Sequence, residues 1–502
     1  MHLFRMIFSF MFLVGFLSGP TWAQDLQDFE QQVTEATLSN GIKVILVERH
    51  EAPVAAFVNH VNVGGSDEVP GITGLAHLFE HMAFKGTHVV GTSDYEAERQ
   101  AMAKVDSLHA ELEAARRRGN TERLAQLEAA FTAAEDEARQ YVVPNEFGQI
   151  IEREGGQGLN AFTNSDATVY FFSLPANKAE LWMYLDSERF LNGVLREFYR
   201  ERNVVMEERR RSAESQPIGR LLEQYIATSF VAHPYGQPVV GHMSDLQSVT
   251  REDAHDFWKR HYTPQNMTIA IVGDIEPQRM LQLLETYFGR LAPGPEPEPL
   301  RTVEPKVPAS RTVTLYDPGQ PWYLAGYPIP SIRHDDFPAL MALSQILSSG
   351  RTSRLVKRLV TDEKIAFFAG SFPGFPGDKY PSQMIFYATT APGHTNAEVA
   401  RAMDEEIARI KTELVSDQEL LRAKTQLRAD LVRQLDSNFG LGLELARYHT
   451  VTGDWRNLFH YIDRVQALTT EDLRRVATEY LDDHYRTVGT IVTEGDPPQA
   501  LP

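Results

Sequence analysis

Two histidines and a glutamate lie close together in the segment GLAHLFEHMAFKGT (74–87). His77 and His81 are four residues apart, a spacing that places both imidazoles on one face of a helix. Two such imidazoles can bind one Zn²⁺ ion, and Glu80 between them can take a proton from a water molecule that the metal activates. We interpret this inverted H-x-x-E-H pattern as part of a metal site. The alternative is a pair of surface histidines beside a solvated glutamate.

A catalytic zinc site needs a third protein ligand, and the segment YRERNVVMEERR (199–210) offers candidates. Glu201 and Glu208 are seven residues apart, so they share one face of a helix but lie about 10 Å apart along its axis. We therefore expect one of them to be the ligand and the other to orient a histidine. The alternative is a solvated helix on which glutamates and arginines form surface ion pairs.

The elements that carry these residues belong to a chain with an internal repeat. The segment QSVTRED (247–253) returns as QALTTED (466–472). Each copy is followed by a helical stretch and then by an apolar run that ends in Gly-Asp, at Asp274 and Asp496. An ordered match at such a long period predicts two homologous domains rather than a solenoid of short repeats. Strands and helices are intermixed without regular βαβ order, which favours the α+β class.

The predicted domain boundaries follow changes in composition along the chain. The segment APGPEPEPLRTVEPKVP is rich in Pro and Glu and is typical of a stiff linker. Residues 94–141 are rich in Ala, Glu, Arg and Leu, and they predict an antiparallel helical hairpin inserted into the first domain. The predicted units are a signal peptide at 1–23, a first domain at 24–291, a linker at 292–310 and a second domain at 311–498.

The first residues predict export from the cytoplasm. Arg5 precedes an apolar stretch that runs from Ile7 to Leu17, and a small residue, Ala23, follows a Pro-containing segment. This pattern is typical of a secretory signal peptide and is too short to span a bilayer, so we expect a periplasmic protein. The alternative is an uncleaved membrane anchor.

Composition excludes several other classes of protein. The 502 residues carry a net charge of −19, which makes a nucleic-acid partner a poor expectation. No later apolar run reaches the length of a membrane helix, so we expect no stable membrane insertion. The chain has no cysteine, and any transition metal must therefore be held by His, Asp or Glu.

Three segments in order resemble the pitrilysin/insulinase family of zinc metallopeptidases, and most nearly its half-size members such as processing peptidase subunits. They are GLAHLFEHMAFKGT, NAFTNSDATVYF (160–171) and ERNVVMEE (201–208). The resemblance implies two α/β-sandwich domains that form one half of a clamshell.

The resemblance also implies a role for each site residue. The metal would be one Zn²⁺ per chain, held by His77, His81 and Glu208, with Glu80 as the catalytic base and Glu201 supporting catalysis. Glu207, next to the third ligand, is the residue most easily assigned in its place. The resemblance further implies a substrate-binding edge strand at Asn160, Ala161 and Phe162, where an extended peptide adds as another strand.

One departure from the family pattern points to a partner. Catalytically complete members use an Arg and a Tyr, seven residues apart, from a C-terminal domain. The matching positions here are Val360 and Phe367, which have neither a charge nor a hydroxyl group. We therefore expect a homologous subunit to supply that pair in a heterodimer, and a homodimer is the other possible pairing. A register shift would bring Arg358 to the Arg position.

The predicted function is that of a zinc-dependent endopeptidase which cleaves peptides or unfolded segments, as the zinc-bearing subunit of a heteromeric complex. The alternative is a non-catalytic assembly or peptide-binding subunit with a structural zinc. The sequence does not identify the natural substrate, the partner or the role of the hairpin.

Overall fold

The computed structural model describes residues 29–295 and 298–493, so the predicted signal peptide and the end of the second repeat lie outside the described residues. Two mixed β-sheets form the centres of the two halves. The strands of the first sheet are β1 Val33–Thr37, β2 Lys43–Glu48, β3 Val54–Val61, β4 Gln157–Thr163, β5 Thr168–Pro175 and β6 Met267–Gly273. The strands of the second sheet are β7 Arg311–Tyr316, β8 Trp322–Ile329, β9 Ala366–Phe375, β10 Ser382–Thr390 and β11 Thr487–Val492.

The α-helices cover both sheets. In the first half they are α1 Leu75–Met82, α2 Tyr95–Arg117, α3 Thr121–Arg139, α4 Glu146–Arg153, α5 Ala179–Leu191, α6 Phe198–Arg209, α7 Pro217–Ser229, α8 Met243–Ser248, α9 Arg251–His261 and α10 Pro277–Tyr287. In the second half they are α11 Phe337–Ser348, α12 Asn396–Thr412, α13 Asp417–Asp436, α14 Asn438–Thr452, α15 Asn457–Ala467 and α16 Thr470–Tyr480.

The two sheets share one topology. Strand order is β1-β2-β6-β3-β5-β4 in the first sheet and β7-β11-β8-β10-β9 in the second. β2 runs parallel to β6, and β7 runs parallel to β11, whereas the other neighbours are antiparallel. Apart from β1, each strand of one sheet therefore has a counterpart in the other. This confirms the predicted α+β class with two homologous domains.

The repeated sequence motif has a structural cause. Thr250 caps α9 and Thr469 caps α16, each by accepting a hydrogen bond from the backbone N–H of an aspartate three residues on. Those aspartates, Asp253 and Asp472, bond back to the threonine backbone, so both helices begin with a capping box. The repeat thus preserves the capping residues of one helix in each half: α9, which precedes β6, and α16, which precedes β11.

Each half provides one helix to the sheet of the other half. α14 of the second half packs on β3 and β6, and α7 of the first half packs on β7 and β11. The two helices begin at Pro217 and Asn438, a separation close to that of the repeated motif, so they are equivalents in the repeat. Glycine permits the close approach: a Cβ on Gly442 would lie 3.3 Å from Val58, and one on Gly489 would lie 3.1 Å from the Tyr225 ring.

The sheet of the first half therefore lies between two cores. In β2, Ile45 and Val47 pack into the core shared with the second half, whereas Val44 and Leu46 pack into the core of the first half. A strand that is buried on both faces has a continuous run of apolar residues in its sequence. Helix α1, which carries His77, packs into the core of the first half.

Residues 94–141 contain the two helices α2 and α3, which pack against each other as an antiparallel pair. Asp94 and Asn120 accept backbone hydrogen bonds at their first turns. Between the two halves, residues 292–295 and 298–310 contain no helix or strand. Glu304 in that stretch accepts hydrogen bonds from the backbone N–H groups of residues 231–233, which ties it to the first half. None of the helices in the described part of the chain has the length and apolar character needed to cross a membrane.

Candidate functional site

The histidine helix, α1, presents its polar residues on one face. Leu75, Leu78, Phe79 and Met82 are buried in the first core, while His77, Glu80 and His81 are only partly buried. The helix begins after Gly74, whose φ of +87° is favourable for glycine. A Cβ there would lie 2.6 Å from the carbonyl oxygen of Val240, so no larger residue fits without movement.

A buried carboxylate from outside the helix caps α1. Glu68 accepts hydrogen bonds from the backbone N–H groups of Gly74 at 2.7 Å and Ala76 at 2.6 Å. Gly74 has no side chain with which to cap the helix itself, so Glu68 satisfies donors that the first turn leaves unpaired. Burial raises the pKa of Glu68 to about 8, although the backbone hydrogen bonds favour the ionised form.

The glutamate helix, α6, brings two carboxylates to the histidines. Oε2 of Glu208 lies 3.6 Å from Nε2 of His77 and 3.6 Å from Nε2 of His81. The three residues offer ligand atoms that all lie within 4.8 Å of one another. Among the residues that the structure describes, this is the one group of histidines and carboxylates placed to share a metal ion. Glu207 points elsewhere and forms an ion pair with Arg210.

Glu201 lies on the opposite side of His81 from Glu208. Its Oε2 lies 3.5 Å from Nδ1 of His81, and its Oε1 lies 2.5 Å from Nζ of Lys85. Burial alone would raise the pKa of Glu201, but the hydrogen bonds to His81 and Lys85 lower it to about 2. Glu201 therefore stays ionised and orients the ring of His81 through Nδ1. This leaves Nε2 of His81 to bind a metal.

The two histidines differ in their electrostatic surroundings. Burial, helped by the charge of His81, lowers the pKa of His77 to about 4, so this imidazole is neutral at physiological pH. Burial also acts to lower the pKa of His81, but Glu201, Glu208 and Glu80 together raise it above its ordinary value. The site is thus rich in negative charge when it holds no cation. Two imidazole nitrogens and one carboxylate oxygen fit the donor set of a catalytic zinc site.

Glu80 is held by a residue outside its own helix. The hydroxyl of Thr163, at the end of β4, donates a hydrogen bond of 2.6 Å to Oε2 of Glu80. Burial raises the pKa of Glu80 even though this hydrogen bond favours the anion. Thr163, Lys85 and Glu68 were not among the predicted site residues. Their roles depend on contacts between elements, although Thr163 directly follows the predicted substrate segment.

The predicted substrate segment lies on an edge strand. Among the residues that the structure describes, β4 is the last strand of the first sheet and pairs with β5 alone, which leaves its outer edge unpaired. Asn160 and Phe162 are exposed and Ala161 is half-buried. Because Thr163 at the end of this strand contacts Glu80, an extended peptide that paired with the strand would pass the candidate base.

The two positions of the second half that match the family's Arg and Tyr carry other side chains. Val360 is partly buried against the core, and Phe367 is 57% exposed on β9. Arg358 forms ion pairs with Glu363, Glu405 and Glu406, which occupy its guanidinium. A register shift therefore does not make Arg358 available to bind a substrate.

Comparison with protein families gives two matches along the chain. Residues 43–122 match the family model described as insulinase, peptidase family M16, and residues 248–427 match the peptidase M16 inactive domain. The first range contains His77, Glu80 and His81, whereas Glu208 lies between the two ranges.

Individual proteins show the same similarity over most of the chain. The zinc protease PqqE of Helicobacter pylori is 28% identical over 473 residues, which covers 92% of this chain and 93% of that protein. A crystal structure of a protease from Helicobacter pylori has a TM-score of 0.77 at 27% identity and covers 92% of this chain and 99% of that one. The periplasmic protease PqqL of Escherichia coli has the same fold, with a TM-score of 0.67 at 18% identity. The match to PqqL covers 92% of this chain but 48% of that one.

Proposed function

We propose, because this chain carries the N-terminal and C-terminal domains of peptidase family M16, that it is a zinc-dependent endopeptidase acting on peptides or unfolded segments. One observation carries the proposal. Glu80 lies beside the group formed by His77, His81 and Glu208 and is not itself one of the three ligands. A structural metal site would have no use for such a base.

Zinc suits the three ligands, and we propose one ion per chain. His77 and His81 would hold it through Nε2, and Glu208 would hold it through a carboxylate oxygen. Three protein ligands leave a fourth position open, as a catalytic site requires. When bound, zinc supplies the Lewis acidity that acidifies a water molecule and polarises the peptide carbonyl.

Glu80 would carry the proton. The hydrogen bond from Thr163 fixes one of its oxygens, which leaves the other to accept a proton from the attacking water. Burial raises its pKa, so the protonated form is stable enough to pass the proton on to the leaving amine. Thr163 thereby connects the base to the strand on which the peptide would lie.

The alternative function is a non-catalytic assembly or peptide-binding subunit with a structural zinc. The match of residues 248–427 to the inactive domain favours it. That range begins in the last part of the first half and extends into the second, and it does not include His77, His81 or Glu208, which lie together in the first half. The alternative predicts that zinc stabilises the protein without any dependence of hydrolysis on Glu80.

We propose a homologous subunit as the partner, with a homodimer as the other pairing. The second half offers Val360 and Phe367 where an Arg and a Tyr are expected, and Arg358 is engaged by three carboxylates. The similarity to about half of PqqL supports the idea that this chain corresponds to one of two halves. A periplasmic location is also a proposal, and it depends on residues 1–23 alone.

The test is hydrolysis of a mixed peptide library by zinc-loaded protein, alone and with extract of its source cells. We expect cleavage that a chelator abolishes and that Glu80→Gln lowers about 100-fold or more while zinc stays bound. The matched control is Glu207→Gln, because Glu207 is exposed and pairs with Arg210 on the same helix. Full hydrolysis by the zinc-loaded Glu80→Gln variant would refute the assignment of the base. Absence of chelator-sensitive cleavage in both conditions would refute the peptidase.

A further inference from the structure

The β4–β5 turn, residues 164–167, contacts the segment that caps the histidine helix. The backbone N–H of Gly65 donates to the carbonyl oxygen of Asn164 at 3.0 Å, and the next residue of each segment forms an equivalent bond of 2.9 Å. The approach is close, because a Cβ on Gly64 would lie 2.4 Å from the same carbonyl oxygen. Glu68, which caps α1, follows three residues after Gly65. The turn therefore helps to set the position of that cap.

The same turn adjoins the candidate base. Thr163, the last residue of β4, directly precedes it and donates a hydrogen bond to Glu80. The turn is closed by its first side chain, since Oδ1 of Asn164 accepts from the backbone N–H groups of Asp166 and Ala167 at 2.8 Å each. A displacement of this closed turn would move Thr163 relative to the base.

The second half contacts the turn through the β9–β10 loop, residues 376–381. The carboxylate of Asp166 is the acceptor, and this residue is only 7% exposed. It accepts from the backbone N–H groups of Asp378 at 2.9 Å and Lys379 at 3.2 Å, and from the hydroxyl of Tyr235 at 2.5 Å. A single buried side chain thus joins the turn to the second half.

The fit between the loop and the turn leaves no room for a larger residue. A Cβ on Gly377 would lie 2.5 Å from Oδ2 of Asp166 and 2.5 Å from the hydroxyl oxygen of Tyr235. Next to this contact, Nζ of Lys379 donates to Oδ1 of Asn62 at 2.7 Å. Because densely packed interiors transmit strain, a change in the loop should be felt in the turn.

The loop has its own attachment in the second half. Nη1 of Arg447, on α14, lies 2.8 Å from Oδ2 of Asp378, and its Nη2 lies 3.2 Å from Oε2 of Glu444. α14 is the helix that the second half packs on the first sheet. Asp378 therefore contacts α14 with its side chain and the β4–β5 turn with its backbone N–H.

We propose that the second half positions the active site of the first half, and that Asp166 is the positioning residue through which it acts. From Asp166 the contacts lead in two directions, to Thr163 beside the base and to the segment that caps α1. The inference rests on the proposed peptidase function and extends it. It gives the second half a role within its own chain that needs no Arg and Tyr pair.

The test changes each side of this contact in the full chain. Gly377→Ala alters only the second half, and Asp166→Ala removes the acceptor from the first. Both should lower kcat for a cleaved library peptide about 10-fold or more with little change in KM, because a small displacement of a catalytic group is costly. Both should also weaken zinc binding about 3- to 10-fold in a competition titration, through the cap on α1. Asp166→Asn retains one acceptor oxygen and should recover most of both properties.

The matched control is Tyr225→Phe, which removes another buried hydrogen bond between the halves. Tyr225 is 0% exposed, and its hydroxyl donates to Oε1 of Gln383 at 2.5 Å. This bond lies where α7 packs on the second sheet. Tyr225→Phe should lower the thermal unfolding temperature but leave kcat and zinc affinity unchanged. The same scan identifies any variant that does not fold, and if Gly377→Ala is one of them, Asp166→Ala compared with Asp166→Asn supplies the result.

The zinc titration separates this proposal from the proposed function, since it does not depend on hydrolysis. Wild-type kcat and zinc affinity in folded Asp166→Ala and Gly377→Ala proteins would overturn the positioning role. Equal losses of both in Tyr225→Phe would overturn it as well, because any loosening of the two halves would then have the same effect. Weakened zinc binding in Gly377→Ala together with no hydrolysis by wild type would support the positioning role and refute the peptidase.

Discussion

Removal of the carboxylate of Glu68 should loosen the histidine helix and weaken the metal site without touching a ligand. Glu68 is 3% exposed and accepts from two backbone N–H groups, those of Gly74 and Ala76. Glu68→Ala leaves both donors buried without a partner. Each unpaired buried group costs about 1–3 kcal/mol, so we expect the free energy of unfolding to fall by about 2–6 kcal/mol. Glu68→Gln keeps one acceptor and should lose about half as much.

The pH dependence of this loss has a definite sign. Burial raises the pKa of Glu68 from 4.5 to about 8, so the folded protein binds this proton more tightly than the unfolded chain. The contribution of Glu68 to stability is therefore complete below the unfolded pKa and is lost as pH rises through the folded pKa. The difference between wild type and Glu68→Gln should be largest below pH 4.5 and smallest above about pH 8.

The assay is urea unfolding across this pH range, together with amide exchange at residues 74–77 and a zinc competition titration. In Glu68→Ala, hydrogen exchange at these amides should become faster. Zinc affinity should fall about 10-fold or more, because residues that do not bind the metal themselves orient the ones that do. The control is Glu398→Ala, which removes the half-buried glutamate of the capping box on α12 and should leave zinc binding unchanged. The reasoning would be refuted if Glu68→Ala had the unfolding free energy of the wild type and the same rates of amide exchange at residues 74–77.

Three further changes have expected outcomes. Glu201→Gln should lower zinc affinity about 10- to 100-fold, measured by competition titration, because the amide no longer fixes the ring of His81 with a charge. Thr163→Val should reduce kcat more than it changes KM in steady-state peptide hydrolysis, since Glu80 loses its hydrogen-bond donor; equal effects on both would contradict this. Gly74→Ala should cost about 1–3 kcal/mol in urea unfolding, because its φ is +87° and a Cβ would meet a backbone oxygen at 2.6 Å.

The parts of the site that depend on local geometry can be predicted from the sequence. The i, i+4 spacing of His77 and His81 fixes their common face on any helix, and the seven-residue spacing of Glu201 and Glu208 separates their roles. In the structure Glu208 lies near Nε2 of both histidines and Glu201 lies near Nδ1 of His81; the spacing alone did not predict which glutamate would take which position. The capping boxes likewise made the internal repeat visible, because the residues that start a helix are local.

Contacts between segments that are distant in the chain could not be predicted from the sequence. Lys85 is four residues from His81, yet its importance comes from Glu201 on another helix. The central strand β6 lies between β2 and β3 in the sheet, although most of the first half separates it from them in the chain. Apolar runs such as GIKVILV predict strands but contain no information on which partner a strand selects, since any apolar neighbour would bury it.

The exchange of helices α7 and α14 between the halves has a consequence for biogenesis. The first sheet cannot cover one of its apolar faces until Thr452 has left the ribosome, because α14 is the helix that packs there. A fragment that ends at Leu291 would therefore expose the apolar surface that Val58 and its neighbours bury in the whole chain. A protease cut in the stretch at 298–310 should likewise leave two fragments that stay bound to each other. Each half of the repeat therefore relies on a helix from the other half to cover its sheet.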